Sequence, residues 1–87
     1  MAAQVHAPEA PLRLECWSNQ PGMQVYCGHK ISVPLKGLAG KPYGAWAGLC
    51  LEPQIWPDAV NHAHFPNSIL QPDDTYRQQT EYRFIQV

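Results

Sequence analysis

The chain has 87 residues, a formal net charge of -1 and only 15% charged residues against 45% hydrophobic ones. Domains average about 100–200 residues, so the chain holds at most one small domain, and any deep active site in it must be shared or incomplete. The low, balanced charge offers no electrostatic footprint for nucleic acid or an anionic membrane, and neither is expected as a partner. Nine prolines and six glycines favour short strands and turns over long helices, which predicts an all-β fold.

The expected compartment is the cytoplasm. No apolar stretch approaches the roughly 18–20 residues of a membrane span, and residues 1–13 lack the basic region and apolar run of a signal peptide. The three cysteines form an odd set without C-x-x-C spacing, which predicts neither a disulfide framework nor a thiolate zinc site.

The first half of the chain predicts two strands and a long loop. Residues 1–11 show no periodicity and are expected to form an irregular lead-in. Residues 12–17 alternate as in a half-buried strand, with Leu12, Leu14 and Cys16 on one face. A turn at residues 18–22 leads to a second strand over residues 23–27, in which Gln24 points away from the aliphatic face. Residues 28–43 are too rich in glycine and proline for a long element, so we expect a loop with one short strand near residues 31–33.

The second half predicts two more strands. Residues 47–51 are the most apolar run, and Glu52 is expected to end that strand on the face with the smaller residues. Residues 53–72 contain four prolines and form an irregular segment anchored by Trp56 and Phe65. Residues 76–87 alternate again and predict the last strand, with Tyr82 and Phe84 on the face opposite Arg83.

Glu52 is the first candidate for chemistry. A carboxylate that ends an apolar strand and precedes Pro53 is held by a stiff backbone and is expected to be partly desolvated, a setting that suits a general base. The alternative is an ordinary strand-end carboxylate that is exposed to water or paired with Arg77 or Arg83.

Gln24 is the second candidate. A side-chain amide both donates and accepts hydrogen bonds, so it can bind a sugar hydroxyl while a neighbouring aromatic ring provides an apolar surface. The alternative is a solvated residue beside a turn.

The His62-Ala63-His64 motif is the third. On a strand, H-x-H places both imidazoles on one side, a geometry that zinc can use. The surrounding prolines favour a loop and no third ligand stands at a recognisable spacing, so no metal site is expected. Asp58 and Asn61 are expected to be turn-forming side chains that bond to nearby backbone groups.

Several segments resemble the aldose 1-epimerase (galactose mutarotase) family. They are QPGMQVY at residues 20–26, GLCLEPQIWPDAVN at 48–61, FPNSIL at 65–70 and TEYRF at 80–84. The resemblance extends over about residues 12–84 and is most specific around Glu52. It implies that residues 1–87 are a partial domain, with antiparallel strands forming the C-terminal portion of a galactose-mutarotase-like β-sandwich with long Pro/Gly-rich loops.

The resemblance also implies an activity and two site residues. It identifies Glu52 as the general base and Gln24 as a sugar contact in the interconversion of α and β anomers of aldoses such as galactose or glucose. It implies a monosaccharide substrate, no cofactor and no metal. The family's acid and orienting histidines, with a sugar-binding Asp and Arg, lie in upstream parts without a counterpart here. Those histidine roles are not transferred to His6, His29, His62 or His64. We therefore expect a C-terminal fragment that is inactive or nearly so alone, associating with the missing N-terminal part or with itself.

Two positions depart from the family pattern. Pro72-Asp73-Asp74 replaces the usual Pro-Gly-Glu turn and lacks the residue expected to adopt positive φ. Ala10-Pro11-Leu12 replaces a Ser-Gly-Arg string.

The competing hypothesis is a non-catalytic carbohydrate-binding β module. It depends on Tyr43, Trp46 and Trp56, any of which can stack on a pyranose.

Overall fold

A computed structural model describes all 87 residues and contains five strands in two antiparallel sheets. The strands are β1 (Ala3–His6), β2 (Leu12–Ser18), β3 (Gly22–Tyr26), β4 (Cys50–Gln54) and β5 (Thr80–Gln86). The only helical elements are two 3-10 turns, Leu38–Gly40 and Ala59–Asn61, and neither has the length or apolarity needed to cross a bilayer. The predicted all-β, antiparallel class is confirmed.

The larger sheet has the strand order β1-β2-β5 and separates apolar from charged side chains. Leu14 lies opposite Phe84 and Cys16 opposite Tyr82, so these residues share one face of the sheet. Their neighbours on the strands point to the other face, where Glu15 lies opposite Arg83. Both faces follow the alternation predicted from the sequence.

The smaller sheet pairs β3 with β4 and turns an apolar face toward the larger one. Val25 lies opposite Leu51, and the hydroxyl of Tyr82 donates to the Leu51 carbonyl at 3.1 Å. A groove of about 260 Å³ lies where the faces meet, lined by Leu14, Leu49, Leu51, Tyr82 and Phe84. The arrangement of two antiparallel sheets is consistent with the predicted portion of a β-sandwich.

The core of this two-sheet arrangement is small. Only Cys16, Gly28 and Pro53 are buried, and Phe84 remains 69% exposed although it lines the groove. The two sheets therefore leave much of their facing apolar surface in contact with water.

The N-terminal residues differ from the prediction. The expected irregular lead-in over residues 1–11 contains β1, which pairs with β2 from Ala3 opposite Cys16 to His6 opposite Arg13. Val5 is the only strong β-former in β1, so the segment has almost no local signal. The strand forms because the edge of β2 provides hydrogen-bonding partners for its backbone, an interaction that local periodicity does not reveal.

The fourth strand begins later than predicted. The expected strand over residues 47–51 is instead β4, so Glu52 occupies the middle of the strand and not its end. Pro53 lies inside β4 opposite Met23. A proline is tolerated there because β4 pairs with a strand on one side only. A residue whose nitrogen faces the unpaired side of an edge strand needs no N–H for the ladder. Near residues 31–33 the structure has a single bridge between Val33 and Tyr43 in place of a strand.

Asp73 adopts the conformation expected of a glycine. Its φ is +72°, so the Pro72-Asp73-Asp74 turn contains a positive-φ residue after all. Aspartate is among the few non-glycine residues that enter this region readily. The expectation that this turn lacks a positive φ is wrong.

Candidate functional site

Gln24 and Glu52 are direct partners across the β3–β4 ladder. Side chains of directly opposed residues point to the same face of a sheet, with Cβ atoms typically about 4.5–5.5 Å apart. The structure therefore brings the two predicted site residues together on one face. That face is turned away from the apolar groove, since the adjacent pair Val25 and Leu51 points the other way.

Both site side chains are exposed and have no partner within the chain. Gln24 and Glu52 are exposed to solvent, and neither the Gln24 amide nor the Glu52 carboxylate takes part in a side-chain hydrogen bond or ion pair. The only hydrogen bond to Glu52 outside the ladder reaches its backbone carbonyl, from Nε2 of Gln54 at 3.2 Å. The expected partial desolvation of Glu52 is thus not found, because the residue is exposed to solvent.

Of the two alternatives for Glu52, the structure shows the one exposed to water and not the one paired with an arginine. Arg83 binds Glu81, with Nε donating to Oε1 at 2.7 Å, and Arg77 donates to the side chain of Gln79 at 3.4 Å. The Glu52 carboxylate is therefore free to accept a proton or hydrogen bond from a ligand.

An aromatic row continues the same face beyond the end of β3. Tyr26 points to the side of Gln24, since the two are separated by one residue on the strand. The rings of Tyr26 and His29 meet edge to face with centroids 5.3 Å apart, and the ring of His29 lies 6.1 Å from that of Trp46. His29 also has Nδ1 3.8 Å from Sγ of Cys27. We call Tyr26, His29 and Trp46 the aromatic row.

Sequence alternation placed Tyr26 beside Gln24 but did not find the rest of the row. His29 and Trp46 lie in the long loop between β3 and β4, where no period links them. A turn around the buried Gly28 brings them together. The Gly28 carbonyl accepts hydrogen bonds from the backbone N–H of both Ile31 and Trp46. Gly28 has φ +74°, and a Cβ there would collide with the Gly48 carbonyl.

A second aromatic cluster holds the segment after β4 and lies beside Gly22, at the start of β3. Trp56 packs edge to face on Phe65 with centroids 4.8 Å apart, and Gly22 at the start of β3 leaves room for the Trp56 ring. Asp58 adopts φ +61° and binds the side chains of Asn61 and His62. Asp58 and Asn61 thus lie in a turn as expected, but their side chains bond to other side chains and not to the predicted backbone groups.

His62 and His64 belong to this second cluster. Their ring centroids are 5.8 Å apart, and the two rings pack on Phe65 at 4.6 and 4.7 Å. Nε2 of His62 lies 2.9 Å from Oδ2 of Asp58. No group of three or more His, Cys, Asp and Glu side chains in the structure is arranged to hold a metal ion.

The charged face of the larger sheet holds a network that the sequence did not predict. Trp17 Nε1–H donates to Glu15 at 3.0 Å and Arg13 donates to the same carboxylate at 3.1 Å. The Arg83 guanidinium lies 4.5 Å above the Trp17 ring.

This network shifts the pKa values of its members. The hydrogen bond from Trp17, followed by Arg13, lowers the pKa of Glu15. The hydrogen bond from Arg83 lowers the pKa of Glu81, and that carboxylate raises the pKa of Arg83 in turn. Every ionised group in the network has a partner, in contrast to Glu52.

Known proteins are similar to this chain over nearly its full length. A family model described as aldose 1-epimerase matches residues 1–83. Galactose mutarotase from Bos taurus is 43% identical over 82 residues, which is 94% of this chain and 24% of that protein, and the protein of the same name from Rattus norvegicus is 42% identical over the same lengths. Aldose 1-epimerase from Escherichia coli (strain K12) is 35% identical over 98% of this chain and 25% of its own length. The chain thus spans about a quarter of the length of these curated relatives, and it belongs to the aldose 1-epimerase family.

Proposed function

We propose that this chain provides one wall of an aldose 1-epimerase site, with Glu52 as the general base and Gln24 as a sugar contact. The observation that supports the proposal is the direct opposition of these residues on one exposed face. A free carboxylate and a free amide side by side can engage two neighbouring hydroxyl groups of a pyranose.

The proposed reaction begins when the Glu52 carboxylate removes the proton from the C1 hydroxyl of a cyclic aldose. As that proton leaves, the bond between C1 and the ring oxygen breaks, C1 becomes a carbonyl carbon, and an acid delivers a proton to the ring oxygen. Rotation about the C1–C2 bond presents the other carbonyl face, and reclosure returns both protons and gives the opposite anomer. The proton transfers alone complete the reaction, so we propose that it needs no cofactor.

We propose further that the chain alone is nearly inactive and corresponds to the C-terminal portion of the family's sandwich. The exposure of Glu52 supports this, because a general base works best where protein excludes water from the reacting groups. A base that lacks its acid partner forfeits roughly 10²–10⁴ in rate. The half-open groove between the sheets also fits a sandwich whose remaining strands lie outside these residues. A cytoplasmic location remains part of the proposal.

The test is polarimetry of freshly dissolved α-galactose. The 87-residue chain alone should follow the spontaneous rate in buffer. A hybrid in which this chain replaces the matching quarter of bovine galactose mutarotase should be active. In that hybrid Glu52→Gln should lower kcat by about 10²–10⁴, while Glu9→Gln, which alters an exposed carboxylate in the β1–β2 turn, should leave kcat unchanged. Full activity of the isolated chain, or an active Glu52→Gln hybrid, would contradict the proposal.

A carbohydrate-binding module without catalysis is the second candidate. The observation that favours it is the 69% exposure of Trp46 beside the Gln24 face. It predicts a hybrid that binds galactose and shows no mutarotase activity even with Glu52 intact.

A further inference from the structure

Trp46 has a backbone conformation that a bulky side chain rarely adopts. Its φ is +66°, in the left-handed region where a Cβ crowds the following carbonyl. The conformation is held by the hydrogen bond from the Trp46 N–H to the Gly28 carbonyl at 2.9 Å. Aspartate, the residue type at two of the other three such positions (Asp58 and Asp73), tolerates this region, whereas tryptophan does not.

Few contacts within the fold offset this strain. Trp46 is 69% exposed, and the only ring near it is that of His29. Exposing an indole forfeits the burial that normally stabilises tryptophan. Residues that combine strain with poor packing cluster at ligand-binding sites, where the ligand completes the contacts.

The other two aromatic candidates are already committed to the fold. Trp56 is 38% exposed and packs on Phe65 at 4.8 Å. The Tyr43 hydroxyl accepts a hydrogen bond from the Leu38 N–H at 2.9 Å, and its ring occupies the space beside Gly37. Only Trp46 presents a largely free ring.

The position of Trp46 connects it to the Gln24–Glu52 face. It ends the aromatic row that starts at Tyr26, which lies two residues from Gln24 on the same side of β3. The row therefore extends from the polar pair as an apolar wall. Sugar sites combine these two surfaces, because polar side chains bind the hydroxyl groups while an aromatic ring covers the C–H face of the pyranose.

We propose that Trp46 is a sugar-contacting, specificity-determining residue whose indole covers the C–H face of the aldose that Gln24 and Glu52 hold. This inference rests on the proposed function, since it assumes a sugar on that face. It names Trp46 as the stacking residue and excludes Trp56 and Tyr43 from that role. A pyranose with an unbroken C–H face should bind better than an open-chain polyol with the same hydroxyl groups.

The test is 19F NMR of the hybrid enzyme labelled with 5-fluorotryptophan, because the proposal gives the isolated chain only one wall of the site. The signals of the three tryptophans of this chain are assigned with Trp17→Phe, Trp46→Phe and Trp56→Phe. Addition of D-galactose should move the Trp46 signal and leave the other two in place, and the same concentration of galactitol should move it far less. Gln24→Ala should weaken the galactose affinity measured from the Trp46 signal by about fivefold, because the variant loses one hydrogen bond to the sugar.

A response confined to Trp17 or Trp56, an equal response to galactitol, or no response at Trp46 would overturn the inference. This readout measures contact and does not require proton transfer. A galactose response at Trp46 together with an active Glu52→Gln hybrid rejects Glu52 as the base and keeps the sugar contact. No galactose response at Trp46 together with an inactive Glu52→Gln hybrid keeps Glu52 as the base and rejects Trp46 as the stacking residue.

Discussion

Gln24 lies directly opposite Glu52, so two residues separated in sequence by a long loop become neighbours on one sheet face. The antiparallel register creates this proximity, and no local motif does. A slip of one residue between β3 and β4 would turn one of the two side chains toward the apolar groove. The pairing register of β3 and β4 is therefore as important to the site as the two side chains themselves.

Gln24→Ala should weaken sugar binding without removing the chemistry. In the proposed site the amide touches sugar in the ground state and the transition state alike, so its loss should raise KM and leave kcat nearly unchanged. One hydrogen bond is worth about 1 kcal/mol, so we expect KM for galactose to rise about fivefold in the hybrid enzyme. Gln86→Ala, at the exposed end of β5, is the matched control and should leave KM unchanged. A fall in kcat as large as that of Glu52→Gln would show that Gln24 takes part in catalysis itself.

The charged face of the larger sheet should make the fold sensitive to acid. The pKa values of Glu15 and Glu81 lie below the ordinary 4.5 in the folded chain. Their ionised forms therefore stabilise the fold fully above the unfolded pKa, and this stabilisation is lost as the pH falls through the folded values. Tm measured from about pH 7 to about pH 3 should fall below about pH 4.5 in the wild type and less steeply in Glu15→Gln.

Trp17→Phe tests the cause of the Glu15 shift. It removes the indole N–H that donates to Glu15, so the pKa of Glu15 measured by NMR titration should rise toward its ordinary value. Glu9→Gln should leave that titration unchanged. If Trp17→Phe has no effect on Glu15, the neighbouring arginines account for the shift instead.

The apolar faces that meet at the groove should make the isolated chain self-associate. Phe84 is 69% exposed in this groove and Tyr82 is 51% exposed, and contiguous apolar surface of this kind promotes association. Phe84→Lys should shift the chain toward the monomer in gel filtration at equal concentration. Val60→Lys adds the same charge at a side chain 70% exposed on the Ala59–Asn61 turn and should not. A wild-type chain that elutes as a single soluble monomer would contradict this.

The sequence predicted the faces of the strands better than their ends. Alternation over β2 and β5 correctly separated Leu14 and Phe84 from Glu15 and Arg83, because burial of one face repeats every second residue. The same reasoning correctly turned Gln24 away from the aliphatic face. Strand pairing decides the rest: β1 depends on the edge of β2, and Pro53 is accommodated in β4 because one edge of that strand is open.

The sequence names candidate site residues but does not predict how they are arranged. The motif around Glu52 and the amide of Gln24 were identified from their sequence strings, whereas their opposition depends on a register across a loop of irregular conformation. The aromatic row depends on a turn at Gly28 and on the positive φ of Trp46, and nothing in a tryptophan's sequence neighbourhood predicts that conformation.

Trp46 should also show a conflict between stability and sugar contact. A left-handed conformation costs an ordinary residue about 1–2 kcal/mol, and glycine avoids this cost while losing some entropy on folding. Trp46→Gly should therefore unfold at a higher urea concentration than Trp46→Ala, with a difference of about 1 kcal/mol in unfolding free energy. Both variants lack the indole, so both should lose the galactose dependence of thermal stability that the proposal predicts for the hybrid with Trp46 intact. Equal stability of the two variants would mean that the backbone at this position relaxes once the indole is gone. A stable glycine variant that has lost its response to galactose would instead indicate that the strained tryptophan lowers stability but is required for contact with the sugar.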